Sequence, residues 1–142
     1  AGQLPGGRRV DAGREHRWPF AVDAAGARVD LSELPPAGAP TEMLYITDLA
    51  EGRYDIVTRG GVRLTVAWEL ERFPFLWLWQ EVGATPEGPW NSAAYFIGIE
   101  PFSSYPSEGL PAAVANGTAL TIPPESSLRA RWSVAITCPE AA

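Results

Sequence analysis

Glycine and proline interrupt this chain so often that long helices have no room to form. Each occurs 14 times among 142 residues. Glycine in a helix interior costs about 1 kcal/mol relative to alanine, while proline removes a backbone donor and clashes with the preceding turn. The spacing of these two residues therefore favours short strands joined by turns, and it predicts an all-β chain.

The hydrophobic pattern predicts strands from residue 43 onward. Between residues 62 and 69, apolar side chains such as Val62 and Trp68 alternate with polar ones, which is the period of a half-buried strand. This segment and others like it predict strands at 43–49, 53–58, 62–69, 75–80, 93–100, 117–122 and 128–138. We expect the first three to form a meander whose first hairpin turns at 50–52. Pro101 is expected to end the strand before it.

Residues 1–42 carry no sustained periodicity. Their glycines and the proline-rich run at 34–40 predict irregular chain along a surface, with one helical turn at 30–34. Residues 43–138 then supply about seven strands. Together these features predict a single domain over residues 1–142, built as an antiparallel β-sandwich.

The charge balance narrows the range of partners. The chain has 11 arginines and no lysine against 17 acidic residues, for a formal net charge of -6. Because nucleic acids and anionic membranes bind clustered cations, neither is expected as a partner. No apolar run approaches the ~20 residues of a membrane span, and the first residues lack the pattern of a signal peptide. A soluble protein is expected, with the cytoplasm as its compartment.

Metal and cofactor chemistry has few candidate residues. His16 and Cys138 are the single histidine and the single cysteine. One of each cannot form a zinc site or a disulfide framework, and the sequence has no glycine-rich phosphate cradle and no nucleophile elbow. We therefore expect no metal and no cofactor. His16 is predicted to be solvated, and Cys138 is predicted to be an inert thiol.

Glu100 is the residue that most strongly indicates chemistry. It ends an apolar strand, on the face of Phe96 and directly before Pro101. Desolvating a carboxylate is costly, so Glu100 is expected either to reach solvent or to act in a cleft. The alternative is a strand-end glutamate that is simply hydrated.

Aromatic density is the second feature that points to a ligand. Trp79 and Trp90 lie next to polar residues, and flat aromatic faces suit the C–H faces of sugar rings. The predicted substrate-binding residues are Trp79, Gln80, Glu81, Trp90 and Tyr105. The alternative is that aromatic residues fill the core, as the alternation predicts for Trp68 and Trp132.

Several segments follow one another in an order that is itself informative. They read FPFLWLWQE at 73–81, PW at 89–90, YFIGIEPFSSYP at 95–106, GL at 109–110, ANG at 115–117 and LTIPPES at 120–126. In this order, from about Trp18 onward, the chain resembles the C-terminal part of aldose 1-epimerase (galactose mutarotase-like) proteins. The resemblance implies a truncated, antiparallel β-supersandwich that interconverts the anomers of free sugars by acid-base catalysis without a cofactor.

The resemblance also implies roles for single residues. Glu100, in the sequence IEP, matches the base that takes the proton from the anomeric hydroxyl. In the family a histidine protonates the ring oxygen, but the motifs that carry it do not occur here and His16 does not match them. Half a supersandwich exposes sheet edges and an apolar face. The resemblance therefore implies a fragment, a homodimer, or a partner chain that supplies the missing half.

Three functions follow from these features. The first is a truncated aldose 1-epimerase-like isomerase that binds a sugar or sugar-like ligand, with Glu100 as base. A variant of it is acid-base chemistry on a non-sugar substrate, with a tyrosine or Glu81 as the second group. The other two functions are a non-catalytic carbohydrate-binding module and an assembly domain without a ligand.

Overall fold

The computed structural model describes residues 8–139, and strands dominate them. The elements, in chain order, are β1 (Phe20–Val22), β2 (Arg28–Asp30), β3 (Glu42–Ile46), β4 (Arg53–Val57), β5 (Arg63–Trp68), β6 (Phe75–Val82), β7 (Tyr95–Phe102), α1 (Leu110–Ala115) and β8 (Trp132–Thr137). The prediction of an all-β chain with antiparallel sheets is confirmed, since β1-β2 and β4-β5-β8 are antiparallel. The mutarotase-like supersandwich stays a prediction.

Packing divides the chain into two compact units, each built from two stretches of sequence. The first unit comprises Ala1–Ile46 and Trp77–Glu100, and the second comprises Thr47–Leu76 and Pro101–Ala142. The chain therefore crosses from one unit to the other three times. The single-domain organisation stays a prediction.

The first unit contains the β1-β2 hairpin and most of a sheet with the strand order β3-β6-β7. Its hairpin closes through Asp23, whose carboxylate accepts the backbone N–H groups of Ala25 and Ala27 at 2.9 and 2.8 Å. Gly26 takes a φ of 84°, a conformation that costs glycine little. The small core of this unit consists of Val10, Ala21 and Leu31, with Val29 and Leu44 packed against it.

The expectation that residues 1–42 are irregular is wrong in part. Residues 1–7 lie outside the described residues, but the segment after them forms β1 and β2 and supplies a buried cluster. The predicted helical turn at 30–34 is absent, because Asp30 ends β2. Strands of three residues are too short to show a period of two, so their sequence resembles that of a loop.

The second unit contains the antiparallel sheet β4-β5-β8, which has one apolar face. That apolar face carries Tyr54, Ile56, Leu64, Val66, Trp68, Trp132, Val134 and Ile136. The opposite face carries Asp55, which accepts hydrogen bonds from Arg53 at 3.0 Å and from Thr65. Since residues directly opposite each other in an antiparallel pair share a face, the register separates the two faces cleanly.

The predicted hairpin between the first two strands does not form. β3 lies in the sheet with β6 and β7, whereas β4 pairs with β5 from Arg53↔Ala67 to Val57↔Arg63. Residues 47–52 instead carry the chain from the first unit to the second. Alternation shows that a segment is a strand, but it does not specify the neighbour with which that strand pairs.

The strand boundaries also differ from the predictions by up to four residues: β3 ends at Ile46 rather than at residue 49, and β6 extends to Val82 rather than to residue 80. β7 runs through Pro101 to Phe102, because β7 is an edge strand and tolerates a residue without an N–H. The predicted strand at 117–122 is absent, and α1 lies between β7 and that segment. β8 begins at Trp132 rather than at residue 128.

Candidate functional site

One face of the β3-β6-β7 sheet in the first unit carries a cluster of aromatic rings. The Trp79 ring packs nearly perpendicular to the rings of Trp90 and Phe96, at centroid distances of 5.4 and 4.9 Å. Tyr45 and Trp77 form a second perpendicular pair at 5.4 Å. All five rings are half-buried, so they remain in contact with solvent. We call these five residues the aromatic surface.

Glu100 lies beside the aromatic surface, and Gly98 makes room for it. A Cβ atom at position 98 would lie 2.7 Å from Glu100 Oε1 and 3.7 Å from the Cβ of Trp79. The carboxylate therefore folds back over the glycine, next to the tryptophan. Within residues 8–139, the Glu100 side chain has no hydrogen bond and no ion pair. A half-buried carboxylate with free lone pairs can accept a hydroxyl proton from a ligand.

The structure brings together Trp79, Trp90 and Glu100 of the predicted site. Their strands explain this arrangement: Trp79 on β6 is next to Gly98 on the neighbouring β7, and Glu100 is two residues further along the same face. Trp90 reaches the cluster from the turn that connects the two strands. Sequence periodicity could place Glu100 and Phe96 on one face, but it could not align β6 with β7.

Glu81 is a buried structural carboxylate, with 1% of its surface exposed. Its Oε2 accepts the hydroxyls of Thr41, at 2.8 Å, and Thr85, and its Oε1 accepts the backbone N–H groups of Gly83 and Thr85 at 3.1 and 3.3 Å. Burial raises the pKa of Glu81, but these hydrogen bonds outweigh it and leave the pKa below its usual range. The side chain ties the end of β6 to the turn after it.

Gln80 points to the opposite side of β6 and is also 1% exposed. Its Oε1 accepts a hydrogen bond from Arg9 at 2.7 Å. Nearby, Glu42 accepts the backbone N–H groups of Arg9 and Val10 at 2.9 and 3.0 Å and bonds to the Arg8 guanidinium at 2.7 Å. These contacts fasten residues 8–10 to the sheet. The burial of Gln80 and Glu81 leaves neither on the aromatic surface.

Sequence reasoning missed an open surface groove of about 730 Å³ in the first unit. Arg9 lines it, together with Asp23, Asp30 and the apolar segment 34–36. Burial lowers the pKa of Arg9, although the charge of Glu42 opposes this shift. The guanidinium hydrogen-bonds to neutral acceptors, Gln80 Oε1 and the Asp30 carbonyl. Arg8 also lines the groove. Both arginines are far in sequence from the other lining residues, so no sequence motif marks this groove.

Tyr105 belongs to the second unit. Its ring packs against Phe75 with centroids 4.6 Å apart, and its carbonyl accepts hydrogen bonds from Asn116 and Thr118 at 2.7 and 3.1 Å. These contacts hold the loop that precedes α1. A ligand contact through Tyr105 stays a prediction.

The predictions for core tryptophans have different outcomes. Trp68 is 7% exposed, and its indole N–H donates to the Phe73 carbonyl at 2.9 Å, so it is confirmed as a core residue. Trp132 is 50% exposed, so its prediction as core is wrong. Alternation places Trp132 on the apolar face correctly, but β8 is an edge strand and its side chains remain uncovered.

The remaining candidates for chemistry have local roles. His16 Nε2 contacts the Asp11 carbonyl at 3.0 Å, and Cys138 is exposed. Within residues 8–139, no group of histidine, cysteine and carboxylate side chains is arranged to hold a metal ion. No helix in that same stretch is long and apolar enough to cross a membrane.

Comparisons with protein-family models, curated proteins and solved structures yield no match.

Proposed function

We propose that the aromatic surface binds a carbohydrate or sugar-like ring, with Glu100 bonded to one of its hydroxyls. The observation that carries this proposal is the juxtaposition of Trp79, Gly98 and Glu100 on one face of neighbouring strands. Perpendicular contacts with Trp90 and Phe96 hold the Trp79 ring in one orientation, so little side-chain entropy is lost on binding. A sugar ring has apolar C–H faces and polar hydroxyl groups. The Trp79 ring can pack against the former, and the Glu100 carboxylate can accept a hydrogen bond from the latter.

The proposed reaction is isomerisation at the anomeric carbon, as the resemblance to aldose 1-epimerases implies. Glu100 takes the proton of the anomeric hydroxyl as the bond between the anomeric carbon and the ring oxygen breaks, and a water molecule from the solvent gives a proton to that ring oxygen. Closure onto the other face of the carbonyl carbon reverses these steps and gives the other anomer. No net oxidation occurs, and no cofactor is needed.

A non-catalytic carbohydrate-binding module is the second candidate, and the state of Glu81 favours it. A general acid must carry a proton near neutral pH, whereas four hydrogen bonds hold Glu81 in its ionised form. Glu81 is also buried away from the aromatic surface, so it does not supply the acid that the isomerisation requires. Under this proposal the aromatic surface binds the sugar, and the anomers interconvert no faster than in buffer. Acid-base chemistry on a non-sugar substrate is the variant that remains if none of the tested sugars binds.

Exchange spectroscopy by NMR distinguishes these candidates. Anomer interconversion is measured for several aldoses with the wild type, Glu100→Gln, and the control Glu51→Gln, which alters an exposed turn carboxylate in the second unit. Catalysis predicts a rate above buffer that Glu100→Gln lowers by roughly 10²- to 10⁴-fold and the control leaves unchanged. A wild-type rate equal to that of buffer rules out the isomerase, and tryptophan quenching by the same sugars then supports the binding module.

We also propose that the chain associates with a second polypeptide, as a homodimer or with a partner chain. Its support is the apolar face of the second unit, on which Val134 and Ile136 are 65% and 69% exposed. Monomeric soluble proteins rarely expose large apolar patches, and such patches usually mark interaction surfaces. Sedimentation of the purified chain tests it, since a single species at the 15.3 kDa of one chain excludes the homodimer.

A further inference from the structure

Strand β8 is an unprotected sheet edge in the second unit. It is the outer strand of β4-β5-β8, and all six of its residues are exposed. Natural edge strands usually carry lysine, proline, an inward charge or a bulge that prevents pairing with another chain. The segment WSVAIT of β8 has none of these residues, and it pairs with β5 in unbroken register from Trp132↔Trp68 to Thr137↔Arg63.

One hydrogen bond identifies the residues of β8 whose backbone groups point outward. The Glu69 N–H donates to the Arg131 carbonyl at 3.3 Å, so the backbone of Arg131 faces the β5 side. Backbone groups of successive residues in an antiparallel ladder point to alternate sides. The N–H and C=O groups of Trp132, Val134 and Ile136 therefore point away from β5, towards the open edge.

The same three residues carry the exposed apolar side chains of β8. Trp132, Val134 and Ile136 are 50%, 65% and 69% exposed, while Val66 and Trp68, their neighbours on β5, are buried. The Trp132 ring is held by an edge contact with Phe73 at 5.3 Å. Within residues 8–139, each of the three residues thus has backbone groups that point to the open edge without a strand partner and an exposed side chain on the adjoining apolar face.

We propose that β8 pairs antiparallel with β8 of a second copy of this chain, about a two-fold axis at Val134. In this register Val134 lies opposite Val134 of the partner subunit, and Trp132 lies opposite Ile136 of the partner subunit. All the outward-pointing groups are then used, and the apolar faces of the two sheets are continuous. This inference rests on the proposed association with a second polypeptide and is independent of sugar binding.

A second copy of β8 can pair with this edge because, in an antiparallel arrangement about a two-fold axis, the backbone donors of each strand lie opposite the acceptors of the other. The six residues of β8 are uncharged, so chains with a net charge of -6 can meet there without placing like charges together. Arg129 and Arg131 precede the strand. Antiparallel pairing places the arginines of the two copies at opposite ends of the paired strands, so that the two Arg131 residues are roughly 20 Å apart. A parallel arrangement would place them side by side. The contact is smaller than a standard interface, so a reversible dimer is expected.

Analytical ultracentrifugation of three proteins tests the proposal, over a range from roughly 1 to 500 μM, where dimers with small interfaces dissociate. Val134→Lys places two ammonium groups opposite each other on the axis. Val57→Lys is the matched control, because Val57 is 53% exposed on β4, at the other edge of the same sheet. The wild type and Val57→Lys are expected to reach twice the mass of one chain at high concentration, and Val134→Lys to remain at 15.3 kDa.

Amide hydrogen exchange on the wild type tests the interface even where a variant fails to fold. The amides of Trp132, Val134 and Ile136 are expected to exchange at least tenfold more slowly at the high concentration than at the low one. The amides of Ser133 and Ala135 face β5 and serve as internal controls whose rates change less. A wild type that is monomeric throughout, a Val134→Lys variant that dimerises like the wild type, or concentration-independent exchange at the three amides overturns the proposal.

Discussion

Position 98 decides where the Glu100 carboxylate lies. The Cβ of an alanine there would come within 2.7 Å of Glu100 Oε1, which is the end of a flexible side chain. We expect Gly98→Ala to turn the carboxylate away from Trp79 at a change in the free energy of unfolding of no more than about 0.5 kcal/mol. Sugar affinity is expected to fall about tenfold in fluorescence titrations, and any anomer exchange to slow by at least as much.

The control for this variant is Gly60→Ala, since a Cβ at position 60 meets Thr58 Oγ1 only at 3.9 Å. Unchanged binding in Gly98→Ala would show that the position of Glu100 does not matter to the ligand. A loss of folding in Gly98→Ala, measured by chemical denaturation, would contradict the expectation that the carboxylate moves easily.

Trp79 is the ring that contacts both Trp90 and Phe96. Trp79→Ala removes the indole ring against which a sugar would pack. The variant is expected to weaken sugar binding by about tenfold or more, equivalent to at least ~1.4 kcal/mol. Isothermal titration calorimetry measures this loss. Trp132→Ala removes a half-exposed tryptophan from the second unit and is expected to leave the affinity unchanged. Equal losses in both variants would indicate a general effect on stability.

At the scale of elements, Glu81 fastens the end of β6 to the following turn. The pKa of Glu81 is lowered on folding, so its stabilisation is complete above the pKa of the unfolded chain and is lost as the pH falls through the folded-state value. We expect Glu81→Gln to lower the free energy of unfolding at pH 7 by about 2–3 kcal/mol, because a neutral amide with one acceptor oxygen replaces the carboxylate that accepts four hydrogen bonds.

The pH dependence separates this electrostatic role from packing. Urea denaturation at a series of pH values is expected to show the wild type and Glu81→Gln converging below about pH 4, the ordinary range for a glutamate carboxyl. A difference that stays constant across this range would mean that the ionised form contributes nothing.

The start of β4 depends on Gly52 for a close backbone approach. The Trp68 N–H donates to the Gly52 carbonyl at 2.8 Å, and a Cβ at position 52 would overlap the Trp68 carbonyl oxygen. Because backbone rather than a flexible side chain must move, Gly52→Ala is expected to destabilise the protein by about 2–3 kcal/mol. Thermal melting followed by circular dichroism measures this effect. Gly60→Ala, with no such neighbour, is expected to melt within a few degrees of the wild type.

At the scale of the whole molecule, the proposed sugar binding is expected to stabilise the folded chain. A sugar that binds only the folded chain is expected to raise the free energy of unfolding by ~2.7 kcal/mol at a hundredfold excess over its Kd. Thermal melts with rising sugar concentration should therefore show a rising Tm for the wild type and a smaller rise for Trp79→Ala. A Tm that no tested sugar changes would favour an assembly domain without a ligand.

The agreement between sequence and structure is closest where the evidence is local. Alternation placed β4 and β5 to within a residue and marked the apolar face of β8, because a period of two directly reports which side chains share a face. It missed β1, β2 and α1, which are too short to show a period, and it missed how far β7 continues past Pro101.

The candidate site shows the same division. Glu100, Trp79 and Trp90 could be selected from their types and local contexts, and the structure places them together. Gln80 and Glu81 have the same polar character along the sequence, yet both are buried in networks with Arg9, Thr41 and Thr85. Those partners lie far away in sequence or become neighbours only through a turn, so residue type alone did not reveal their roles.

The sequence by itself determined that the chain is all-β, because glycine and proline exclude long helices and alternation marks the strands. Tertiary structure alone decided which strands are neighbours: β3 joins β6 and β7, and β8 returns to β5 as an open edge. The reason is physical. Burial of side chains depends on the chain's own period, whereas pairing depends on backbone hydrogen bonds that are the same for every residue.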